Sequence, residues 1–358
     1  MRTSKPYHLS YSDKLPRVAS TGYGVLIERN GDIRLAPKSF DWFASVARAD
    51  AHSQVMRAFG NSLLPVTEPD AMRLLRTSSE PLVDVNKQFC LAFGVTVAAS
   101  ESARNDEYQA GGNASAVADV STSSERAKDT PYTRVGSTEN PPELFVKAQT
   151  QSDIFTEGMT AGIRSVEAVG ARIEGEIVSM PPWNIHEAEW NTVAAPEGPE
   201  GTPVAFSLSF DMSCRRDEGI SPMLLLYAKK FWHAAGYGRW FTVPEDPWEF
   251  WNSLTLTTWV RRGGEEIWPP KDAANSMNTS QVRRPLRALL SHISDMGYFE
   301  DGKSVNFMSG TGIVPRLGDT FSLMPGDQIA AESPELGSFY CSTELIPKPR
   351  RDLAKIPA

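Results

Sequence analysis

At 358 residues, with 41% apolar and 22% charged side chains, the chain has ordinary globular composition. Its length suits roughly two domains, or one enlarged by insertions. A net charge of −8 argues against a general affinity for nucleic acid or anionic membrane. No apolar run approaches the roughly 18 residues that span a bilayer, and "MRTSKPYHLSYSDKLPRVAS" lacks the apolar stretch of a secretory signal, so a cytoplasmic protein is expected.

In chain order, "GYGVLIERNGDIRLAP" predicts a hairpin turning at Asn30 and Gly31. From Phe40 to Leu75 the pattern is helical, punctuated by Pro65 and Pro69. "FCLAFGVTVAAS" reads as a buried strand and a loop, with Cys90 inside it. Cys90, Cys214 and Cys341 are widely spaced and form no CxxC arrangement, so buried thiols are expected rather than a disulfide framework or a zinc site.

Between Ala110 and Asn140 the composition shifts to Gly, Ala, Ser, Thr and Asp, with almost no large apolar residues, which predicts a mobile linker or lid. After it come short apolar runs, among them "ELFVKA", "GEIVSM", "AFSLSFDM", "LTLTTWV", "DQIAAE" and "SFYCSTEL", the mark of a β-rich antiparallel or mixed domain. One helix interrupts them. "RRPLRALLSHISDMG" places Leu286, Leu289, Leu290 and Ile293 on one face, with Pro285 in the first turn and Gly297 at the end.

Two segments carry chemistry. In a strand, "IHEAEW" puts Glu187 and Glu189 on one face and His186, Ala188 and Trp190 on the other. In "AFSLSFDMS", Phe206, Leu208 and Phe210 face a core while Ser207, Ser209 and Asp211 face the opposite way. If the two strands pair, three carboxylates converge, and such a cluster is repulsive unless a cation neutralises it; all-oxygen ligands suit Mg²⁺, Mn²⁺ or Ca²⁺. Taken alone, E-x-E is equally compatible with two solvated glutamates on an exposed face.

The order of segments resembles the fumarylacetoacetate hydrolase (FAH) superfamily. The segments are "PPELFVK", "GEIVSMPP", "HEAEW", "DMSCR", "KKFWHAAGYGRW" and "SGTGIVP…FSLMPGDQIAAESPELG", in that family's sequence over some 200 residues. The resemblance implies an α+β, β-rich fold: a small N-terminal α+β domain (1–88) and a mixed β-roll or barrel catalytic domain (89–350), with a lid or insertion at 105–140. It implies a homodimer and a divalent metal, typically Mg²⁺, on Glu187, Glu189 and Asp211, which binds the 2-oxo carboxylate end of a small-molecule substrate.

It also implies roles for further residues. Lys229 stands at the family's active-site lysine, Arg215 at the arginine of D-x-S-x-R as an anion clamp, and Gly310 and Thr311 in the loop that takes the substrate carboxylate. Lys147 joins them as a substrate-binding residue. By residue type alone these are also compatible with a surface lysine pair, a strand-end ion pair and a tight turn. Hydrolytic and decarboxylating members carry G-x-N-Y-x-x-H-x-x-E where this chain has "GVTVAASESARNDEY", without a histidine. Glu101, Glu107 and Arg104 are the available substitutes there, or else solvated loop charges.

Members that dehydrate 2-keto-3-deoxy sugar acids also lack that histidine and use a glutamate with the lysine; Glu143 and Lys229 match that pair. Three readings result: a metal-dependent lyase acting on a 2-oxo acid, a hydrolase or decarboxylase of an acylpyruvate-like acid, and a catalytically silent binding protein. His186 and His233 are expected in structural roles. Trp232, Trp240, Trp248, Trp251, Trp259 and Trp268 are expected in strand packing or a dimer interface rather than in sugar stacking.

Overall fold

The computed structural model describes residues 15–62, 64–77, 82–97, 100, 142–164, 166–173, 176–220, 224–270 and 275–346. The expected lid, together with Glu101, Arg104 and Glu107, lies outside them. The described part is mixed α+β and rich in strands, with a twelve-stranded sheet, a six-stranded sheet and a separate hairpin of Val169–Ile173 with Glu176–Met180.

The predicted N-terminal hairpin forms. Gly24–Arg29 pairs antiparallel with Asp32–Leu35, and Asn30 and Gly31 both take positive φ (53° and 78°), which a two-residue turn matched to strand twist requires. Pro65 falls within the strand Leu64–Val66, and Pro69 in the first turn of the helix Glu68–Thr77, where a missing N–H costs nothing. The helices Trp42–Val46 and Ala51–Asn61 precede them. Through Arg17–Thr21, which pairs with Trp240–Thr242, this N-terminal unit extends the large sheet.

Two long strands, Asn184–Ala195 and Thr202–Cys214, form its centre. They pair antiparallel with Glu187 opposite Asp211 and Glu189 opposite Ser209, and the register shifts at Val193/Ala194, leaving Val204 as the extra residue. Val305–Met308 follows along the sheet, then Phe89–Gly94, then Glu143–Ala148. A flat sheet would put the first and last of these five strands roughly 19 Å apart. Instead Lys147 on the last hydrogen-bonds Asp211 on the first, so the sheet rolls up. The chain itself closes the roll: past Glu143–Ala148, Ile154–Phe155 pairs parallel with Ala235–Tyr237, which pairs with Thr202–Cys214.

The alternation read from sequence sorts the faces of the long strands. Ala188, Trp190, Phe206, Leu208 and Phe210 join a core with Leu256, Val260, Ile329 and Phe339 of the six-stranded sheet. Each large side chain buried there contributes about 1.5–3 kcal/mol. The helix Leu286–Asp295 docks on the same core through Leu286, Leu289, Leu290 and Ile293, as expected; Pro285 sits one residue earlier than foreseen, at the N-cap, and Gly297 (φ 79°) follows the C-cap. On the opposite face, Val193, Ala195 and Ala205 are covered by Trp42, Val46 and Val55 of the N-terminal unit. Beyond that cover the same face turns polar. Cys90, Cys214 and Cys341 are free and buried. Among the described residues no helix is long and apolar enough to cross a membrane.

Candidate active site

The polar end of this face carries Glu187, Glu189, Asp211 and Ser213. Each of the three carboxylates offers an oxygen within 4.8 Å of the others, and all three are buried. Burial, before any neighbour, pushes Glu187 above the usual carboxylate range and Glu189 well above it, and the mutual repulsion with Asp211 adds to both.

The cations present balance this charge unevenly. The Lys229 ammonium, at the end of the helix Leu225–Lys229, donates to Glu187 Oε2, to Ser213 Oγ (2.7 Å) and to Asp211 Oδ2 (3.1 Å). Burial alone would lower the Lys229 pKa, but Asp211, Glu187 and Glu218 outweigh it and hold the ammonium charged. Arg215, opening the helix Arg215–Ile220, donates through Nη2 to Glu187 Oε1 at 2.6 Å. Glu189 is the carboxylate left over. It accepts the Gly310 N–H at 2.6 Å and, among the described residues, makes no ion pair. A buried carboxylate in that position calls for a cation, and three oxygens that close together fit a hard divalent ion.

Lys147 reaches the cluster through a bulge. Leu91 pairs with Val146 and Cys90 with Ala148, so Lys147 is the unpaired extra residue of its strand, the usual device for re-aiming a side chain. It is 0% exposed, and its ammonium donates to Asp211 Oδ1, to the Lys229 carbonyl and to the Met212 carbonyl (3.1 Å). Three donors meet three acceptors. Burial outweighs Asp211 here and lowers the Lys147 pKa, opposite in direction to Lys229.

Glu143 lies on the same side of the roll. It pairs with Gly94, and Asn191 pairs with Met308, which pairs with Ala92. Continued by two residues, that register sets Glu143, Gly94, Gly310 and Glu189 in one row across the sheet. The carboxylate of Glu143 rests over Gly94, where a side chain would collide with it. Phe145, two residues along, faces the Lys229 ammonium at 5.9 Å from its ring centre.

Gly310 takes φ 83°, and a Cβ there would collide with Thr96 Oγ and stand 3.2 Å from the Phe93 carbonyl oxygen. Thr96 in turn donates to the Ser309 carbonyl at 2.6 Å, fixing the loop that points the Gly310 N–H at Glu189. Thr311 follows; its hydroxyl accepts the Ile313 N–H at 3.1 Å and stands 3.4 Å from Met277 Sδ.

Two residues of the cluster were not singled out from sequence. Ser213 bridges Lys229 and Glu187 Oε2 (2.9 Å), and the alternation that placed Asp211 would have placed it as well. Glu218 stands 3.9 Å from the Lys229 ammonium and 4.0 Å from Arg215 Nε, an i,i+3 pair in "RRDE".

The histidines are structural, as expected. His186 is wedged between Phe210 and Trp268, bonds Thr258 Oγ at 2.9 Å, and is pushed down to about 3 by burial. His233 stacks on Trp232. Of the tryptophans, Trp251 packs on Trp190, Trp268 on Phe321, and Trp240, Trp248 and Trp259 lie under Arg17, Arg287 and Arg261.

No family model matches the chain. A curated relative, a probable 2-keto-3-deoxyxylonate dehydratase of Haloferax volcanii, is 27% identical over 205 residues, 57% of this chain. The match spans 61% of that relative's length. Among solved structures, the apo form of 2-keto-3-deoxy-D-arabinonate dehydratase superposes with a TM-score of 0.62 at 17% identity, covering 93% of this chain and 99% of its own. The chain shares the fold of this dehydratase. A form of the same dehydratase complexed with magnesium and 2,5-dioxopentanoate superposes with a TM-score of 0.60 at 18% identity, over the same 93% and 99%. The shared fold thus extends over nearly the whole chain.

Proposed function

We propose that this chain is a Mg²⁺-dependent lyase that dehydrates a 2-oxo acid of the 2-keto-3-deoxy sugar acid class. One observation carries the reading: a buried carboxylate triad with one member lacking a cation, contacted by the Lys229 ammonium and in the same row as Glu143. The dehydratases among its relatives and neighbours support it. So does the charge balance. The triad counts three carboxylates against the two lysines, with Arg215 paired to Glu218, so the cluster is left with an excess of carboxylates that a divalent ion would offset.

Glu187, Glu189 and Asp211 would hold the ion. When bound, Mg²⁺, or Mn²⁺ or Ca²⁺ on the same donors, supplies a Lewis acid for the 2-oxo and carboxylate oxygens. Arg215 and the Gly310–Thr311 loop orient the substrate anion. One of Lys229 and Glu143 takes the proton from C3 while the other protonates the hydroxyl leaving C4, so that a C3–C4 double bond forms and water departs. The buried walls around Phe145 and Lys147 keep bulk water from the reacting carbons. A homodimer is the expected assembly.

The test is a panel of 2-oxo acids incubated with the protein and Mg²⁺ under mass spectrometry. Loss of water from a 2-keto-3-deoxy sugar acid is the expected result. Gain of water or loss of carbon dioxide from an acylpyruvate would replace this reading with the hydrolase or decarboxylase, and no turnover despite bound metal would leave a binding protein.

A further inference from the structure

We propose that Glu218 is a positioning residue for Lys229: it holds the Lys229 ammonium when a divalent ion claims Glu187 and Asp211. The inference rests on reading the triad as a cation site.

In the present arrangement Lys229 holds one oxygen of each of two triad carboxylates. Its three donors go to Glu187 Oε2, Ser213 Oγ and Asp211 Oδ2, and two of those acceptors belong to the triad. Two cations sharing one pair of carboxylates repel each other strongly inside a buried site. The ammonium and the ion therefore compete for the same two carboxylates. The ammonium has no solvated position at hand, because Lys229 is itself buried. A second acceptor has to stand within reach.

Glu218 meets that requirement. It is 2% exposed and belongs to no part of the triad, and its Oε1 stands 3.9 Å from the Lys229 ammonium, about 1 Å beyond hydrogen-bond distance. Ser213 is the pivot, since its hydroxyl contacts both the ammonium and Glu187. Burying a further carboxylate beside a cluster that is already negative is costly, and Glu218 outside the triad does nothing to bind the ion directly. Its proximity to Lys229 and Arg215 explains its place: it draws the ammonium off the metal's oxygens without letting it leave the site.

The experiment is a double-mutant cycle read by calorimetric titration of Mg²⁺, and separately Mn²⁺, into the whole chain without substrate. Lys229→Met is expected to bind the ion more tightly than the wild type, since the competing cation is gone. Glu218→Gln in the wild-type background is expected to weaken binding about tenfold, because the ammonium then has only the triad to sit on, and to change it less than about twofold in the Lys229→Met background. Equal weakening in both backgrounds would show Glu218 acting on the ion directly and overturn the proposal. So would unchanged or weaker binding in Lys229→Met, or no binding in any variant. Should Lys229→Met fail to fold, Lys229→Gln serves as the background. A chain that binds Mg²⁺ with the expected coupling but dehydrates no 2-oxo acid removes the proposed activity and leaves this role intact.

Discussion

Lys147 and Lys229 share one carboxylate, each ammonium donating to a different oxygen of Asp211, while the Lys229 carbonyl accepts from Lys147. Asp211 is thus clamped from both sides, and two residues distant in sequence are locked to one strand. Lys147 has every donor engaged and no exposure, so its side chain is held in place. Lys229 also touches Glu187 and Ser213 and is the lysine proposed for proton transfer.

The triad is expected to bind a divalent ion only as a set. Asp211→Asn and Glu189→Ala should each abolish Mg²⁺ binding in calorimetry. In the wild type, saturation at a hundred times the Kd should add about 2.7 kcal/mol of stability and raise the Tm, and the two variants should show no such rise.

Proton transfer is expected to need Glu143 and Lys229 together. Glu143→Gln and Lys229→Met should each lower kcat by roughly 10²–10⁴-fold on the 2-oxo acid found by the panel, with the ion still bound. If Glu101→Gln or Glu107→Gln gave the larger loss, with solvent oxygen entering a cleaved carboxylate product, the water-activating hydrolase would be the better description.

Lys147→Met should unfold easily. It leaves Asp211 and two backbone carbonyls buried without their donor, a defect of roughly 3–5 kcal/mol for a broken buried pair. Urea denaturation monitored by tryptophan fluorescence checks this, and a loss below 1 kcal/mol would mean that the cluster relaxes around the gap.

Gly310→Ala combines a strained φ with a collision against Thr96. Relief requires the loop to shift, which withdraws the N–H from Glu189. The expected outcome is weaker Mg²⁺ binding together with a Tm lowered by several degrees, as about 1 kcal/mol at this chain length corresponds to a few degrees or less. Thr96→Ala in the Gly310→Ala background should recover part of the Tm by removing the collision, but not the Mg²⁺ binding, because the bond to the Ser309 carbonyl goes with the hydroxyl.

The local periods are legible in the sequence. Strict alternation sorted Phe206, Leu208 and Phe210 from Ser207, Ser209 and Asp211, and a 3.6-residue period marked Leu286, Leu289, Leu290 and Ile293. Local pattern leaves the pairing of the two carboxylate strands open, and the register supplies it. The convergence around Lys147 was not readable, because it depends on closure of the roll through Ile154–Phe155 and on a single unpaired residue, neither of which leaves a local pattern. Ser213 and Glu218 obey the same alternation and i,i+3 spacing as their neighbours in "DMSCRRDE".

The register shift at Val193/Ala194 has a consequence for how this chain can change length. Side chains in paired strands flip sides with every residue, so a one-residue insertion between Glu187 and Asn191 would turn carboxylates outward and core aromatics inward. The extra residue at Val204 lies past that point, towards the connecting loop. It absorbs an odd residue there without rotating anything on the carboxylate side. Related chains should therefore vary freely, by single residues, in the 196–201 connection, while gaining or losing residues between 187 and 191 only in pairs, if at all.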